Sequence, residues 1–166
     1  MGSAPFSLPR KDRTMKQEDK KSFAGYRVRI ALVRETADRA LPKTYARTPA
    51  DIASLVRDIA DQDREHFVVV LLNTKNRVLG IDQVSVGTLD ASLVHPREVF
   101  KAAILANAAS VVVCHNHPSG DPTPSAEDVR ISKALKQAGE IISISVLDHV
   151  ILTSDSHLSL REEGLL

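Results

Sequence analysis

The segment from His115 to Pro124 limits the fold of this chain most strongly, because it contains three prolines and one glycine in ten residues. Proline fixes φ and lacks a backbone N–H, so neither a helix nor a central strand continues through such a segment. The short apolar run Ser110–Cys114 precedes it and predicts a buried strand. Ser125 follows it and predicts the start of a helix. The sequence therefore predicts a strand and a helix joined by a structured loop.

The remaining segments predict further strands and helices from their apolar periodicity. Strands are predicted at Tyr26–Leu32, Phe67–Leu72, Val78–Thr88, Ile141–Val146, His149–Thr153 and His157–Leu160, and helices after Thr48-Pro49, from Pro96 and from Ser125 to Gly139. Several consecutive strands with three separated helices predict an α/β or mixed α+β class with a central mixed sheet flanked by helices.

Length and composition indicate one globular domain after a basic tail. The chain has 166 residues, of which 43% are hydrophobic and 26% are charged, which is enough for one core and too little for two ordinary domains. Residues 1–21 contain two prolines and six basic residues without apolar periodicity, which predicts a disordered tail. Residues 22–166 are expected to form the single domain, with its motif-bearing part at about 48–166.

The sequence contains no sign of a membrane or secreted protein. One cysteine, Cys114, cannot form an intrachain disulfide, which fits a reducing compartment. No apolar run reaches the roughly 18 residues of a membrane span, and the first residues lack the apolar stretch of a signal peptide. The net charge of +1 gives no general argument for a polyanionic partner. We therefore expect a cytoplasmic location and no membrane partner, and the sequence assigns no oligomeric state.

Three residues around the proline-rich loop are candidate metal ligands. His115 and His117 are two residues apart at the end of a strand, so both side chains are expected on the same side. Asp128 follows His117 by eleven residues, in the first turn of the next helix. Two imidazoles and one carboxylate suit Zn²⁺ and leave a fourth position for a water, whose pKa zinc lowers to about 7. The sequence therefore predicts a site for one zinc ion.

The same residues also have structural interpretations. Ser125 and Asp128 fit a capping box, and two loop histidines can be solvated polar residues. Cys114 adjoins the candidate ligands, but in a strand its side chain points away from that of His115, which favours a buried thiol. His149 either supports a metal ligand or is a core histidine with its own hydrogen bonds. These alternatives stay open on the residues alone.

The pattern His115-x-His117, seven residues, Ser125, two residues, Asp128 resembles the signature of the JAMM (MPN+) metalloproteases. The sequence His115-Asn-His-Pro-Ser-Gly-Asp-Pro-Thr-Pro-Ser125 is similar to one branch of that family, the RadC-like proteins. Similar segments run from about Arg64 to the end of the chain, at Glu65–Phe67, Leu72–Asn76, Gly87–Leu89, His95–Glu98 and Leu147–His149. The resemblance implies the JAMM/MPN fold, in which helices flank a mixed sheet in a cytidine-deaminase-like arrangement.

The resemblance also implies two catalytic residues. JAMM enzymes have a general base, a glutamate that precedes a hydrophobic strand, and Glu65 before Phe67–Leu72 matches that place. Glu98 is the competing candidate, although its simplest role is a favourable charge at a helix N-terminus. By the same resemblance, Ser125 stabilises the oxyanion that develops during the reaction.

The implied function is hydrolysis of a peptide or isopeptide substrate by a zinc-activated water. The first alternative is a metal-dependent nuclease or DNA-processing protein, and the second is a non-catalytic binding module. Longer RadC-like proteins carry an N-terminal helix-hairpin-helix region that binds DNA, whereas residues 1–47 here predict a polar tail and one strand. We therefore expect that any binding to DNA is weak, depends on the basic tail and is sensitive to salt.

Overall fold

The computed structural model describes residues 45–87 and 94–166, and these form a five-stranded mixed sheet with helices on both faces. The elements are α1 (Pro49–Leu55), a 3₁₀ turn (Arg57–Ile59), β1 (Glu65–Leu72), β2 (Val78–Gly87), α2 (Pro96–Leu105), β3 (Ser110–Asn116), α3 (Ala126–Ile141), β4 (Ser145–Leu152) and β5 (His157–Ser159). The strand order is β2-β1-β3-β4-β5, in which β3 and β4 are parallel and the other three pairs are antiparallel. The predicted mixed sheet flanked by helices is confirmed.

Alternate residues of the central strands pack into cores on opposite faces of the sheet. In β1, Val69 packs into the core that includes α2 and α3, whereas Val70 packs into the core that includes α1. In β3, Val113 faces the α3 side and Cys114 faces the α1 side. This alternation directs the next residue, His115, towards α3. The predicted burial of Cys114 on the face opposite to His115 is confirmed.

Helix α3 connects the parallel strands β3 and β4, as a parallel pair requires a crossover connection. Its N-terminus is closed by the predicted capping box. The backbone N–H of Asp128 donates to Ser125 Oγ at 3.1 Å, and the backbone N–H of Ser125 donates to the Asp128 carboxylate at 2.7 Å. A second capping box, formed by Thr48 and Asp51, closes the start of α1. Capping of α3 fixes the position of Asp128 in its first turn.

Several predicted boundaries are wrong. β3 continues through Asn116, so His115 belongs to the strand and the loop starts one residue after Asn116. Helix α3 ends at Ile141 instead of at Gly139, so only Ser145 and Val146 of the strand predicted at Ile141–Val146 lie in a strand. β4 begins at Ser145 and includes most of the segment predicted as the next strand.

The contacts of Gly139 explain the wrong helix end. Gly139 lies inside α3, and a Cβ at this position would collide with the backbone carbonyl oxygen of Ile144. Glycine is therefore required for the close approach of the segment that enters β4, not for a helix cap. Ile141 and Ile142 are 84% and 40% exposed, so the start of this apolar run belongs to the helix end and not to the predicted strand.

Some predictions concern parts of the chain outside the described residues. The predicted tail at residues 1–21 and the predicted strand at Tyr26–Leu32 both lie there. None of the helices in the two described ranges combines the length and the apolar character that a membrane span needs.

Candidate metal centre

The side chains of His115, His117 and Asp128 converge at the carboxyl end of β3. His115 Nε2 lies 2.9 Å from His117 Nε2 and 3.3 Å from Asp128 Oδ1. His117 Nε2 lies 3.6 Å from Asp128 Oδ2. The three residues predicted from the sequence as metal ligands are therefore brought together, and they form a group that could hold a metal ion.

The spacing of these ligand atoms suits a small tetrahedral cation. With bonds of about 2.0–2.1 Å, the ligand atoms of a tetrahedral zinc ion are about 3.3 Å apart. The two imidazole nitrogens are 2.9 Å apart, and the Asp128 carboxylate lies 3.3 Å from His115 Nε2 through Oδ1 and 3.6 Å from His117 Nε2 through Oδ2. Two nitrogen donors and one oxygen donor are also a common zinc ligand set with an open fourth position. The residues present therefore fit a zinc ion in the chemistry of their donor atoms and in their proximity to one another.

Hydrogen bonds to His117 Nδ1 and Asp128 Oδ2 fix the orientation of these two side chains in the ligand group. His117 Nδ1–H donates to the backbone carbonyl oxygen of Asp121 at 2.7 Å, which leaves Nε2 of the neutral ring unprotonated. Asp128 Oδ2 accepts from both Ser125 N and Ser125 Oγ at 2.7 Å. These bonds orient the ligand atoms before any cation binds, which lowers the entropy lost on binding.

Burial and the charges and hydrogen bonds of neighbouring residues together set the protonation states of the three ligands. Burial lowers the pKa of His115 well below its ordinary value, with a further contribution from His149, so this ring is neutral at pH 7. Burial alone would raise the pKa of Asp128, but His117, His115 and the Ser125 hydrogen bonds outweigh it and lower that pKa. The interaction with the Asp128 carboxylate raises the pKa of His117. His117 is therefore the ligand whose proton competes with a cation.

We expect the affinity for zinc to fall as the pH falls. The proton on His117 must leave before Nε2 can bind a metal, and its raised pKa means that competition begins above the ordinary histidine range. Below that pKa the affinity should drop by about tenfold per pH unit, since one proton is displaced. A competition titration with a chelator of known affinity at each pH from 5 to 8 measures this slope. An affinity independent of pH would show that His117 does not bind the ion.

A cleft of about 400 Å³ opens above the ligand group. Its wall includes both residues that the family resemblance implies as catalytic, Glu65 and Ser125, together with His117 and Asp128. The charge of Glu65 also contributes to the raised pKa of His117. Glu65 thus belongs to the same cleft as the candidate metal ligands.

The competing glutamate, Glu98, is in the first turn of α2 and does not line the cleft. Its carboxylate is 2.6 Å from Lys101 Nζ and 3.5 Å from Arg97 Nε, and the Lys101 ammonium lowers its pKa. This arrangement is an exposed ion pair at a helix start, as its simplest interpretation predicts.

A family profile of the RadC-like JAB domain matches residues 46–165. The chain belongs to this family. The match contains all three candidate ligands and confirms the resemblance inferred from the metal motif, including the JAB/MPN fold. The match begins at residue 46, whereas the segments that resemble the family in the sequence begin at about Arg64. Family membership and the ligand group together support a metal-dependent, hydrolase-like module.

Curated relatives of this RadC-like domain are about half identical to it. A UPF0758 protein of Desulforamulus reducens is 54% identical over 125 residues, which cover 75% of this chain and 55% of the relative. A UPF0758 protein of Rubrobacter xylanophilus is 58% identical over 120 residues, covering 72% of the chain and 52% of the relative. A UPF0758 protein of Moorella thermoacetica is 51% identical over 138 residues, which cover 82% of this chain and 60% of the relative. The RadC-like chain therefore spans little more than half the length of these relatives.

Asn116 has a role in this RadC-like domain that the sequence analysis missed. Its Oδ1 accepts from the backbone N–H of His66 at 2.7 Å, and its Nδ2 donates to the carbonyl oxygens of Arg64 at 2.9 Å and Gln62 at 3.3 Å. These bonds fix the backbone on both sides of Glu65. The sequence predicts Asn116 in the loop, and only the extension of β3 through Asn116 makes it a buried polar residue that needs hydrogen-bond partners.

His149 and Ser132 were also not assigned to the site. His149 Nε2 is 2.7 Å from His115 Nδ1, and His149 Nδ1 is 2.5 Å from Ser132 Oγ. Burial lowers the pKa of His149 to about 4, so the ring is neutral at pH 7. Ser132 is four residues after Asp128 on the buried face of α3, which is a helical spacing that could have indicated it. The structure therefore combines both interpretations of His149, since it is buried in the core and contacts a candidate ligand.

Proposed function

We propose that this chain is a zinc-dependent hydrolase that cleaves a peptide or isopeptide bond. The observation that supports it most is the group of His115, His117 and Asp128, whose candidate ligand atoms lie within 4.8 Å of one another in a cleft that Glu65 and Ser125 also line. A bound zinc ion would lower the pKa of a coordinated water to about 7 and so supply a nucleophile at neutral pH.

Glu65 is the proposed general base. Its carboxylate takes a proton from the attacking water as oxygen bonds to the carbonyl carbon, and then gives that proton to the leaving nitrogen as the C–N bond breaks. The products are a carboxylic acid and an amine, and Glu65 returns to its starting state. The position of Glu65 in the cleft wall and its electrostatic interaction with His117 support this role.

Ser125 is the proposed donor to the developing oxyanion. Its hydroxyl lines the cleft but donates its proton to Asp128 Oδ2 at 2.7 Å. To stabilise an oxyanion, the hydroxyl must turn from Asp128 to the substrate. The backbone N–H of Ser125, at 2.7 Å from the same oxygen, would then still hold Asp128 in place. One residue can therefore serve as both helix cap and oxyanion donor.

The charges around the cleft favour an amide substrate over a phosphodiester. Besides Asp128, the described residues of the cleft wall include the carboxylates Glu65 and Asp121, and no lysine or arginine is among them. Phosphate groups are bound and activated by cationic side chains or by two metal ions. Within residues 45–87 and 94–166, a single group of three metal-ligating side chains is found. Duplex DNA is therefore proposed as a weak partner through the basic tail rather than as the substrate.

A screen of metal-loaded and chelated protein tests the proposal. The substrates are linear peptides, peptides joined through a lysine ε-amine, and single- and double-stranded DNA. We expect amide hydrolysis that chelation abolishes and added zinc restores, and that is absent in Asp128→Asn. Zinc-dependent cleavage of DNA with intact amides would favour the nuclease alternative. A zinc-loaded protein that cleaves neither class would favour a non-catalytic binding module.

A further inference from the structure

A buried chain of hydrogen bonds connects two of the candidate metal ligands behind the cleft. It runs from His115 Nδ1 to His149 at 2.7 Å, from His149 to Ser132 Oγ at 2.5 Å, and from Ser132 to the backbone carbonyl oxygen of Asp128 at 2.6 Å. His115, His149 and Ser132 have no exposed surface, and Asp128 has 1%. We call this set the histidine–serine chain. It links β3, β4 and α3, the three elements around the ligand group.

The carbonyl group at one end determines the direction of every bond in the chain. A carbonyl oxygen can only accept, so the Ser132 hydroxyl donates its proton to Asp128 O. Ser132 Oγ then accepts from His149 Nδ1–H. A neutral imidazole carries one N–H, so His149 Nε2 accepts from His115 Nδ1–H. His115 Nε2, the atom that faces His117 and Asp128, is left without a proton, so at 2.9 Å it accepts from His117 Nε2–H when the His117 ring is protonated.

The opposite direction conflicts with the same distances. If Ser132 donated to His149, Ser132 Oγ and the Asp128 carbonyl oxygen would be 2.6 Å apart with no proton between them. His149 would then donate to His115 Nδ1, and the His115 proton would lie on Nε2. In that form His115 could not donate an electron pair to a metal.

We propose that His149 is a positioning residue that holds His115 in the tautomer with the proton on Nδ1, with Ser132 setting the direction of the histidine–serine chain. The hydrogen bond at one nitrogen of an imidazole decides which nitrogen is free to bind a metal. His149 thus prepares His115 as a ligand without touching the ion or the substrate. The consequence for zinc rests on the proposed function, whereas the tautomer itself does not.

The tautomers can be measured in the zinc-free protein. Long-range ¹H–¹⁵N correlation spectra distinguish the protonated from the unprotonated ring nitrogen of each histidine. We expect the Nδ1–H form for both His115 and His149 at neutral pH, and a loss of this preference at His115 in His149→Leu. A proton on His115 Nε2 in the wild type would overturn the proposal, as would an unchanged His115 in His149→Leu.

Zinc affinity supplies the second measurement. His149→Leu removes the acceptor for His115 Nδ1–H, and loss of such a partner weakens metal binding by about 10–100-fold. His149→Gln keeps a carbonyl oxygen that can accept from His115, so it should recover most of that loss. Equal losses in the Leu and Gln variants would contradict a role through the hydrogen bond.

Val150→Ala is the matched control for general destabilisation. Val150 is the next residue of β4, is also fully buried, and packs into the core on the opposite face. We expect a lower melting temperature but an unchanged zinc affinity of the folded protein. If Val150→Ala weakens zinc binding as much as His149→Leu does, the histidine–serine chain has no specific role.

The two measurements also separate this inference from the proposed function. A wild type that binds no zinc but has both histidines in the Nδ1–H form would refute the hydrolase proposal and leave the tautomer assignment standing. If the wild type binds zinc and His149→Leu binds it equally tightly, the hydrolase proposal stands. The proposed role of His149 in preparing His115 as a ligand is then refuted.

Discussion

Replacing His117 by alanine should reduce the zinc content of the purified protein from about one ion per chain to near zero, and should abolish hydrolysis with it. The loss is expected to be this large because only two protein donors of a tetrahedral site would remain. His117 gives a cleaner test than His115, since its side chain is 12% exposed and its removal leaves a smaller cavity than removal of the fully buried His115. Elemental analysis of protein purified without added metal measures the effect.

The control for this prediction is another histidine. His157, the first residue of β5, is exposed and is not part of the ligand group, so His157→Ala should keep its zinc. Asp128→Asn separates the metal role of Asp128 from its cap role, because the amide oxygen can still accept from Ser125 N. We expect weaker zinc binding with a nearly unchanged melting temperature. Equal zinc content in wild type, His117→Ala and Asp128→Asn would mean that these residues have a structural role only.

Replacing Glu65 by glutamine should lower the turnover number by about 10²–10⁴, while zinc content stays at the wild-type level. Glutamine keeps the size of the side chain but cannot take a proton from water. The ratio of turnover in the two proteins, at matched zinc content, measures the contribution of the general base.

Glu98→Gln is the control for Glu65→Gln. Glu98 lies outside the cleft wall, so its replacement should leave turnover unchanged and should lower stability slightly through the lost pairing with Lys101. If Glu98→Gln loses turnover and Glu65→Gln keeps it, the general base is Glu98 and the assignment from the family resemblance is wrong.

The candidate ligands could be predicted from the sequence because their convergence depends on local structure. His115 and His117 follow from the alternation of a strand, and Asp128 follows from a capping box at the next helix start. Because α3 is the crossover between two parallel strands, the end of β3 and the start of α3 lie close together. These relations connect residues that are near in sequence.

The remaining parts of the site depend on contacts between distant residues. Glu65 reaches the cleft because Phe67 pairs with His115 in the register of β1 and β3. His149 contacts His115 because it pairs with Val113 in the register of β3 and β4, and Val113 and His115 are two residues apart on the same face of β3. A single sequence does not reveal strand register, so the residues alone predict neither the place of Glu65, which the family resemblance supplies, nor the histidine–serine chain. The end of α3 was missed for a similar reason, since it depends on a tertiary contact.

X-ray absorption spectroscopy at the zinc edge, on protein loaded with one equivalent of zinc, tests the central claim most directly. The account predicts four nitrogen or oxygen ligands at about 2.0–2.1 Å, two of them imidazoles, and no such bound zinc in His117→Ala. A sulfur ligand at about 2.3 Å would instead implicate Cys114, which is buried on the opposite face of the sheet. That result, or six oxygen ligands, would contradict a metal centre formed by His115, His117 and Asp128.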